Sequence, residues 1–239
     1  MEDHAEREGD PMISEAFDYA RAESVEDAVR LLEESGGEAK VLAGGHSLLP
    51  LMKIRLTTLG KLIDIGQIRD LKGIRKEDGR LVVGALTTHK EVANDPLVRR
   101  ELPVLAEAAS QIGDIQVRNR GTVGGNLAHA DPASDLPAVA MALDAQFQVE
   151  GPDGKETLAA EEFFFGPLIT AMPENSIMTS VSFAIPPEGA KSTYLKYAHP
   201  ATGYAVIGVA AAAGKATDGT VDYVRVGITG VGDAAFRAE

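Results

Sequence analysis

The sequence predicts an α+β protein in two parts, and three observations carry that prediction. Through about residue 175, short apolar runs of strand length alternate with capped helical segments. Beyond Pro173 the texture changes to four longer alternating runs, residues 177–185, 192–198, 205–213 and 221–229, parted by Pro-Pro, His-Pro and Asp-Gly turns. With no long helix between them, these runs predict an antiparallel sheet. Two glycine-rich loops, residues 43–47 and 122–126, fall inside the first part. The expected division is a disordered leader over 1–12, a first domain over 13–175 and a C-terminal sheet domain over 176–239.

Taken in order, Ser24 is placed to cap a helix over 25–35, with Asp27 in the capping-box position and Val25, Ala28, Val29 and Leu32 on one face. Gly36 and Gly37 stop it. Residues 39–42 read as a buried strand feeding the first glycine loop, and 47–55 as a helix or helical turn with Pro50 near its start. Residues 61–65 and, after the turn Glu77-Asp78-Gly79, residues 81–85 are two more strands. Thr88 and Glu91 form a capping box for a short helix whose second residue, His89, is expected on the surface. Asp95-Pro96 starts a helix that runs towards Ile112 with a kink at Pro103, and Gly113 ends it. Ser134 caps another over 135–144 that turns Val139, Ala140 and Leu143 to a core; residues 146–150 and 156–158 then read as a hairpin. Around Ala234–Arg237 the pattern turns from strand to something new, so the last element is expected to be cut short.

Composition narrows the function. A formal net charge of −13 argues against nucleic acid or an anionic membrane as partner. An anionic ligand must therefore be held by local N–H groups and a few cations. Absence of cysteine excludes disulfides and iron–sulfur clusters carried by this chain. The longest apolar run, residues 205–213, is too short to span a bilayer, and the first twelve residues are unlike a signal peptide, so a cytoplasmic protein is expected. His129 and Asp131 lack further metal-type neighbours, His199 before proline reads as a turn residue, and no Ser-His-Asp triad has supporting context. Neither a metal site nor a catalytic residue is expected.

The glycine loops are the chemical feature. Gly and Asn reach positive φ cheaply, so 122–126 predicts a tight turn with its N–H groups outward, able to cradle an anion. Bare Gly124 and Gly125 let a ligand approach the backbone, while Thr122 and Asn126 offer side-chain donors. Residues 43–47, Ala-Gly-Gly-His-Ser, are a second loop of this kind directly after a strand, and the two together suit one pyrophosphate. Neither is a Walker loop or a G-x-G-x-x-G fingerprint. Ordinary tight turns, or a module for another phosphate ligand, remain open on these residues alone.

The runs 40–53, 116–128 and 131–137 resemble the FAD-binding medium subunit of molybdenum hydroxylases, the family of carbon monoxide dehydrogenase and xanthine dehydrogenase, and the resemblance extends from about Phe17 to Arg237. It implies a two-part FAD-binding domain of the vanillyl-alcohol-oxidase (PCMH) type followed by a smaller C-terminal domain; the family continues beyond Arg237, so that domain is expected to be truncated. It assigns the FAD pyrophosphate to Ala43, Gly44, Gly45, His46 and Ser47 and to Thr122, Val123, Gly124, Gly125 and Asn126. Asp135 matches an acid that binds FAD, Met178 an apolar contact, Lys196 a cation near the flavin that would stabilise negative charge on reduction, and Tyr204 a residue against the isoalloxazine ring. The bland alternatives are a helix-start acid, a solvated strand lysine and a core tyrosine.

The implied function is that of a flavoprotein subunit of an oxidoreductase. Substrate is oxidised at a molybdopterin cofactor on a large subunit, electrons cross [2Fe–2S] clusters on a small subunit, and FAD passes them in pairs to a terminal acceptor, the whole assembling as a dimer of heterotrimers. Lys53, Arg55, Arg118 and Arg120 are candidates to face the cluster-bearing subunit. A free-standing FAD-dependent oxidoreductase is the competing reading.

Overall fold

Three short parallel strands build the N-terminal layer. In the computed structural model, which describes residues 14–238, β1 (Asp18–Arg21), β2 (Ala39–Leu42) and β3 (Lys61–Asp64) pair in the order β1-β3-β2. The expected leader lies outside the described residues. Between the strands run α1 (Val25–Glu34) and α2 (Leu48–Lys53). The Ser24 hydroxyl accepts the Asp27 N–H as expected, whereas the Asp27 carboxylate takes the N–H of Glu23 rather than that of Ser24. Ala28, Val29 and Leu32 pack on Ile63 in a small core beneath the sheet. The first glycine loop leaves the carboxyl end of β2, the end at which open α/β sheets place ligands.

β4 (Ile74–Glu77) and β5 (Arg80–Gly84) form a hairpin closed by Asp78 and Gly79, both at positive φ, the two-residue turn that matches strand twist. Arg75, Lys76 and Glu77 hide β4 from any apolar pattern. α3 (His89–Asn94) starts at the complete Thr88–Glu91 capping box. The single kinked helix expected after it is two helices, α4 (Pro96–Glu101) and α5 (Pro103–Ser110), because Leu102, preceding proline, is pushed out of the helical region to φ −137°, ψ 67°. α6 (Ile115–Arg120), capped by Asp114, has no buried residue and hence no apolar stripe to predict it.

The expected glycine turn at 122–126 is instead the first turn of α7 (Val123–His129), with Thr122 as N-cap; Gly124 and Gly125 are not at positive φ. Gly124 is needed for close packing, since a Cβ there would lie 2.5 Å from that of Ala85. α8 (Asp135–Ala142) is buried on every side, as an all-apolar helix must be.

β6 (Gln146–Gly151) and β7 (Gly154–Ala159) are the expected hairpin; β8 (Phe164–Gly166) and β9 (Ile169–Thr170) form a smaller one. β10 (Ile177–Ala184), expected in the C-terminal sheet, instead lies at the centre of a five-stranded antiparallel sheet, β4-β5-β10-β6-β7. Its Met178, Val181 and Phe183 belong to the main core, which the short N-terminal segment could not fill without it.

β11 (Lys191–Ala198), β12 (Ala205–Lys215), β13 (Val221–Thr229) and β14 (Phe236–Arg237) make the C-terminal antiparallel sheet in that order. Its inner face packs on α8 and α5. Small residues permit this: a Cβ on Gly227 would lie 1.9 Å from the Ala138 carbonyl oxygen, and one on Gly208 2.2 Å from the Tyr194 hydroxyl. On β11 the outer residues Leu195 and Tyr197 are 70% and 68% exposed. No helix among the described residues is long and apolar enough to cross a membrane.

Gly227→Ala should therefore lower stability by about 3 kcal/mol, the upper end of ordinary overpacking. The exposed control Gly232→Ala, whose Cβ would meet only the Ala234 oxygen at 3.7 Å, should stay within about 0.5 kcal/mol of the parent. Urea denaturation midpoints at constant m-value check both.

Candidate functional site

A cleft of about 890 Å³ opens where the 43–47 loop, the start of α7, β10 and the β11–β12 connection meet. That volume suits a cofactor-sized ligand. It is lined by Ala43, Gly44, Gly45, His46 and Ser47, by Thr122, Gly124, Gly125 and Asn126, and by Asp135, Met178, Lys196 and Tyr204. Of the residues singled out from the sequence only Val123 is absent from the lining, its side chain being fully buried in the core.

The two loops do different work. In the first, Gly45 sits at φ +77°, and a Cβ on Gly44 would lie 2.3 Å from the Arg120 carbonyl oxygen, so glycine is demanded once by conformation and once by the close approach of α6. The N–H groups of residues 44–48 have no acceptor among the described residues. In the second loop the N–H groups of residues 123–126 are already spent, while that of Thr122 has no acceptor among the described residues. Val123 donates to Thr87 O, Gly124 to Ala85 O, Gly125 to Thr122 Oγ1 and Asn126 to Thr122 O. The expected outward N–H cradle at 122–126 is thus replaced by a closed helix start. A Cβ on Gly125 would be 2.8 Å from Thr122 Oγ1, the atom that accepts the Gly125 N–H, and 3.7 Å from the Cβ of Ala43, so glycine is needed for the closed helix start and the two loops lie close together.

Ser134 is the N-cap residue of α8 as expected, but its hydroxyl makes no capping bond and instead donates to Asn126 Oδ1 at 2.8 Å; the Asn126 amide nitrogen has no acceptor among the described residues. Asp135 and Lys196 form an ion pair at 2.9 Å, with side chains 6% and 3% exposed. Lys196 Nζ also donates to Gln111 O at 3.2 Å, and the Tyr194 hydroxyl donates to Asp135 Oδ1 at 2.5 Å. Burial pushes the Asp135 carboxyl above its usual range, while the Tyr194 and Lys196 donors pull it back; burial and the Asp135 charge raise the Tyr194 phenol. Lys196 is therefore no solvated strand lysine, and Asp135 is more than a helix-start acid. Tyr194 and Lys196 share the inner face of β11 by their two-residue spacing, a signal the sequence carried.

Tyr204, 48% exposed at the cleft, is not a core tyrosine. Met178 lines the cleft from β10 next to a bulge between Met178 and Ser180, a device that re-aims side chains near sites. His46 is exposed, with Nδ1 3.1 Å from Gly44 O, and His199 Nδ1 accepts the N–H groups of Ala201 and Thr202 in a turn, as expected. His129 is half-buried and lines the cleft. Among the described residues no group of His, Cys, Asp or Glu could hold a metal ion.

His89 is not on the surface. Its N–H donates to Gly121 O and Thr88 bridges to Thr122, which draws the start of α3 beneath the second loop and buries the ring. Burial first, then the charges of His46 and Arg118, depress its pKa to about 4, and Nδ1 is enclosed without a partner.

The assembled cleft offers a row of backbone donors for an anionic group, a buried ammonium where negative charge could develop, and an open aromatic ring. Comparisons with known proteins agree with such a ligand. A family model described as the FAD binding domain in molybdopterin dehydrogenase matches residues 15–187. The carbon monoxide dehydrogenase medium chain of Hydrogenophaga pseudoflava is 42% identical over 228 residues, covering 95% of this chain and 79% of the relative. The glyceraldehyde dehydrogenase medium chain of Sulfolobus acidocaldarius is 34% identical over 227 residues, covering 95% and 80%. A solved structure of carbon monoxide dehydrogenase from Hydrogenophaga pseudoflava lacking the Mo-pyranopterin moiety of the molybdenum cofactor superposes with a TM-score of 0.91 at 44% identity, over 95% of this chain and 79% of that one.

His89 gives the cleft a pH signature. Below the ordinary histidine pKa of 6.5 the unfolded chain takes up a proton that the folded ring refuses until about pH 4. Its contribution to stability should therefore fall by about 1.4 kcal/mol per pH unit across that window as the medium acidifies, and level off below it. Urea midpoints of the parent and of His89→Gln between pH 7 and pH 4 check this; the variant should lose that slope.

Proposed function

The chain belongs to the FAD-binding family of molybdopterin dehydrogenases, as the flavoprotein medium subunit of a molybdenum hydroxylase, and from its cleft we propose how it holds that cofactor. The single observation that carries the proposal is that the N–H groups of residues 44–48, which have no acceptor among the described residues, belong to a loop that lines the same cleft as Gly125. These residues fit a pyrophosphate: the donors neutralise it without a net positive field, and Gly125 leaves room for it. Ala43, His46 and Ser47 shape the same loop, and Thr122, Gly124 and Asn126 line its partner. Val123 supports the second loop from below.

Bound FAD supplies the redox chemistry that takes electrons from iron–sulfur clusters and passes them to a terminal acceptor. The chain's own residues bind and orient. Met178 offers an apolar contact to the ring system, Tyr204 an aromatic face, and Lys196, anchored by Asp135, a cation preorganised where negative charge develops on reduction. A free-standing oxidoreductase, or a module for another phosphate ligand, is not favoured by relatives that are themselves medium chains of dehydrogenases.

The partner subunits follow from the same reading: a large molybdopterin subunit and a small [2Fe–2S] subunit, joined as a dimer of heterotrimers in the cytoplasm, with the FAD-binding part of this chain extending to about residue 187. For the small subunit we propose the surface formed by the end of α2 and by α6. Lys53 and Arg120 are exposed cations in an acidic chain, and Ile54, Leu56 and Ile115 are exposed apolar residues on or next to the same two elements. Arg118 contributes less, because its guanidinium already donates to Ile112 O and Gly113 O.

Gly125→Asp, which sets a carboxylate against the pyrophosphate, should abolish flavin absorption after reconstitution with FAD, whereas Gly125→Ala, which adds the same Cβ contact with Thr122 Oγ1 without the charge, should retain flavin; normal flavin content in Gly125→Asp would show that the clamp lies elsewhere. Arg120→Glu should weaken assembly with the partner subunits at least tenfold by size-exclusion or pull-down titration, with FAD content unchanged.

A further inference from the structure

We propose that Tyr194 is a positioning residue of the cleft: its hydroxyl fixes the Asp135 carboxylate so that the Lys196 ammonium is held towards the bound flavin. The proposal rests on the FAD reading above. Tyr194 is buried and reaches no ligand itself, but its hydroxyl donates to Asp135 Oδ1 at 2.5 Å while Lys196 Nζ sits on Oδ2 at 2.9 Å. Two donors on opposite oxygens set the rotation of one carboxylate. That rotation in turn sets where the ammonium lies. A second bond, from Lys196 Nζ to Gln111 O, takes another of its three protons, and the remaining N–H has no acceptor among the described residues although the side chain lines the cleft.

The surrounding packing is arranged around the phenol. Gly208 pairs with Lys196 across the sheet, and a Cβ there would stand 2.2 Å from the Tyr194 hydroxyl and 2.9 Å from Thr229 Cγ2, so glycine leaves the space that the hydroxyl occupies. The Glu107 carboxylate accepts the Tyr194 N–H at 2.8 Å and the Thr193 hydroxyl at 3.0 Å, tying β11 to α5 at the same point. Without the phenol, Oδ1 of a buried carboxylate is left without a donor, and Asp135 turns to share both oxygens with Lys196. The ammonium is then drawn towards Asp135 and away from the ligand, and reduced flavin, which carries the extra negative charge, loses more stabilisation than oxidised flavin.

The test is the flavin midpoint potential of the FAD-loaded chain. Tyr194→Phe should weaken binding of reduced relative to oxidised flavin about tenfold, a potential lower by about 30 mV for a two-electron couple, with oxidised FAD still bound at the parental ratio. Lys196→Met should lower the potential further, and adding Tyr194→Phe to it should change nothing more, because the phenol acts only through the ammonium. An unchanged potential in Tyr194→Phe, or an equal shift in the Lys196→Met background, overturns the proposal. So does a Tyr194→Phe chain that cannot fold, which would make the phenol purely structural. Failure of the parent chain to bind FAD would instead refute the cofactor reading.

Discussion

The arrangement depends most on how closely α8 approaches the C-terminal sheet. Gly227 admits the Ala138 carbonyl almost into the sheet plane, and Gly208 and Ala210 keep the neighbouring positions low. The approach is secured from the strand ends as well: the Thr229 hydroxyl lies between Pro132 O and Ser134 O with one proton to share, and the N–H groups of Gly230 and Ala205 donate to Pro132 O and Ala133 O. The segment that leads into Asp135 is thereby gripped on several sides. Only at this separation do Tyr194 and Lys196, carried by one element, reach a carboxylate carried by another.

A buried ion pair is weak evidence for stability, since the desolvation of two charges offsets most of their attraction. The Asp135–Lys196 pair is therefore better understood as a specificity device. It fixes a cation inside an acidic chain, where the global field of −13 charges would otherwise oppose an anionic ligand. The backbone donors of residues 44–48 answer the same difficulty without adding charge. The cleft thus meets an anion with local dipoles and one sequestered ammonium.

Much of this was legible in the sequence. The capping chemistry of Ser24, Thr88 and Asp95 placed three helices, and the residues taken from the family resemblance converge on one cleft, Val123 excepted. What was misread has local physical causes. Glycine next to glycine suggested a turn at 124–125, but here it serves the close contact of α7 with Ala85. His89 looked exposed because capping rules say nothing about what a helix start packs beneath. By its pattern β10 belongs with the strands that follow it, because strand pattern reports burial, not pairing partner.

The inverted pattern of β11 carries a cost for folding. Tyr194 and Lys196 point inward while Leu195 and Tyr197 face outward, so a slip of one residue would bury two large apolar side chains and release the lysine to water. Hydrophobicity alone favours that wrong register. The native one is held by the hydroxyl–carboxylate–ammonium network and by the space left at Gly208, which makes the strand a point of local frustration in an otherwise consistent landscape. A ligand that binds only the native register would stabilise it by mass action, so occupancy of the cleft and the register of this strand are thermodynamically linked.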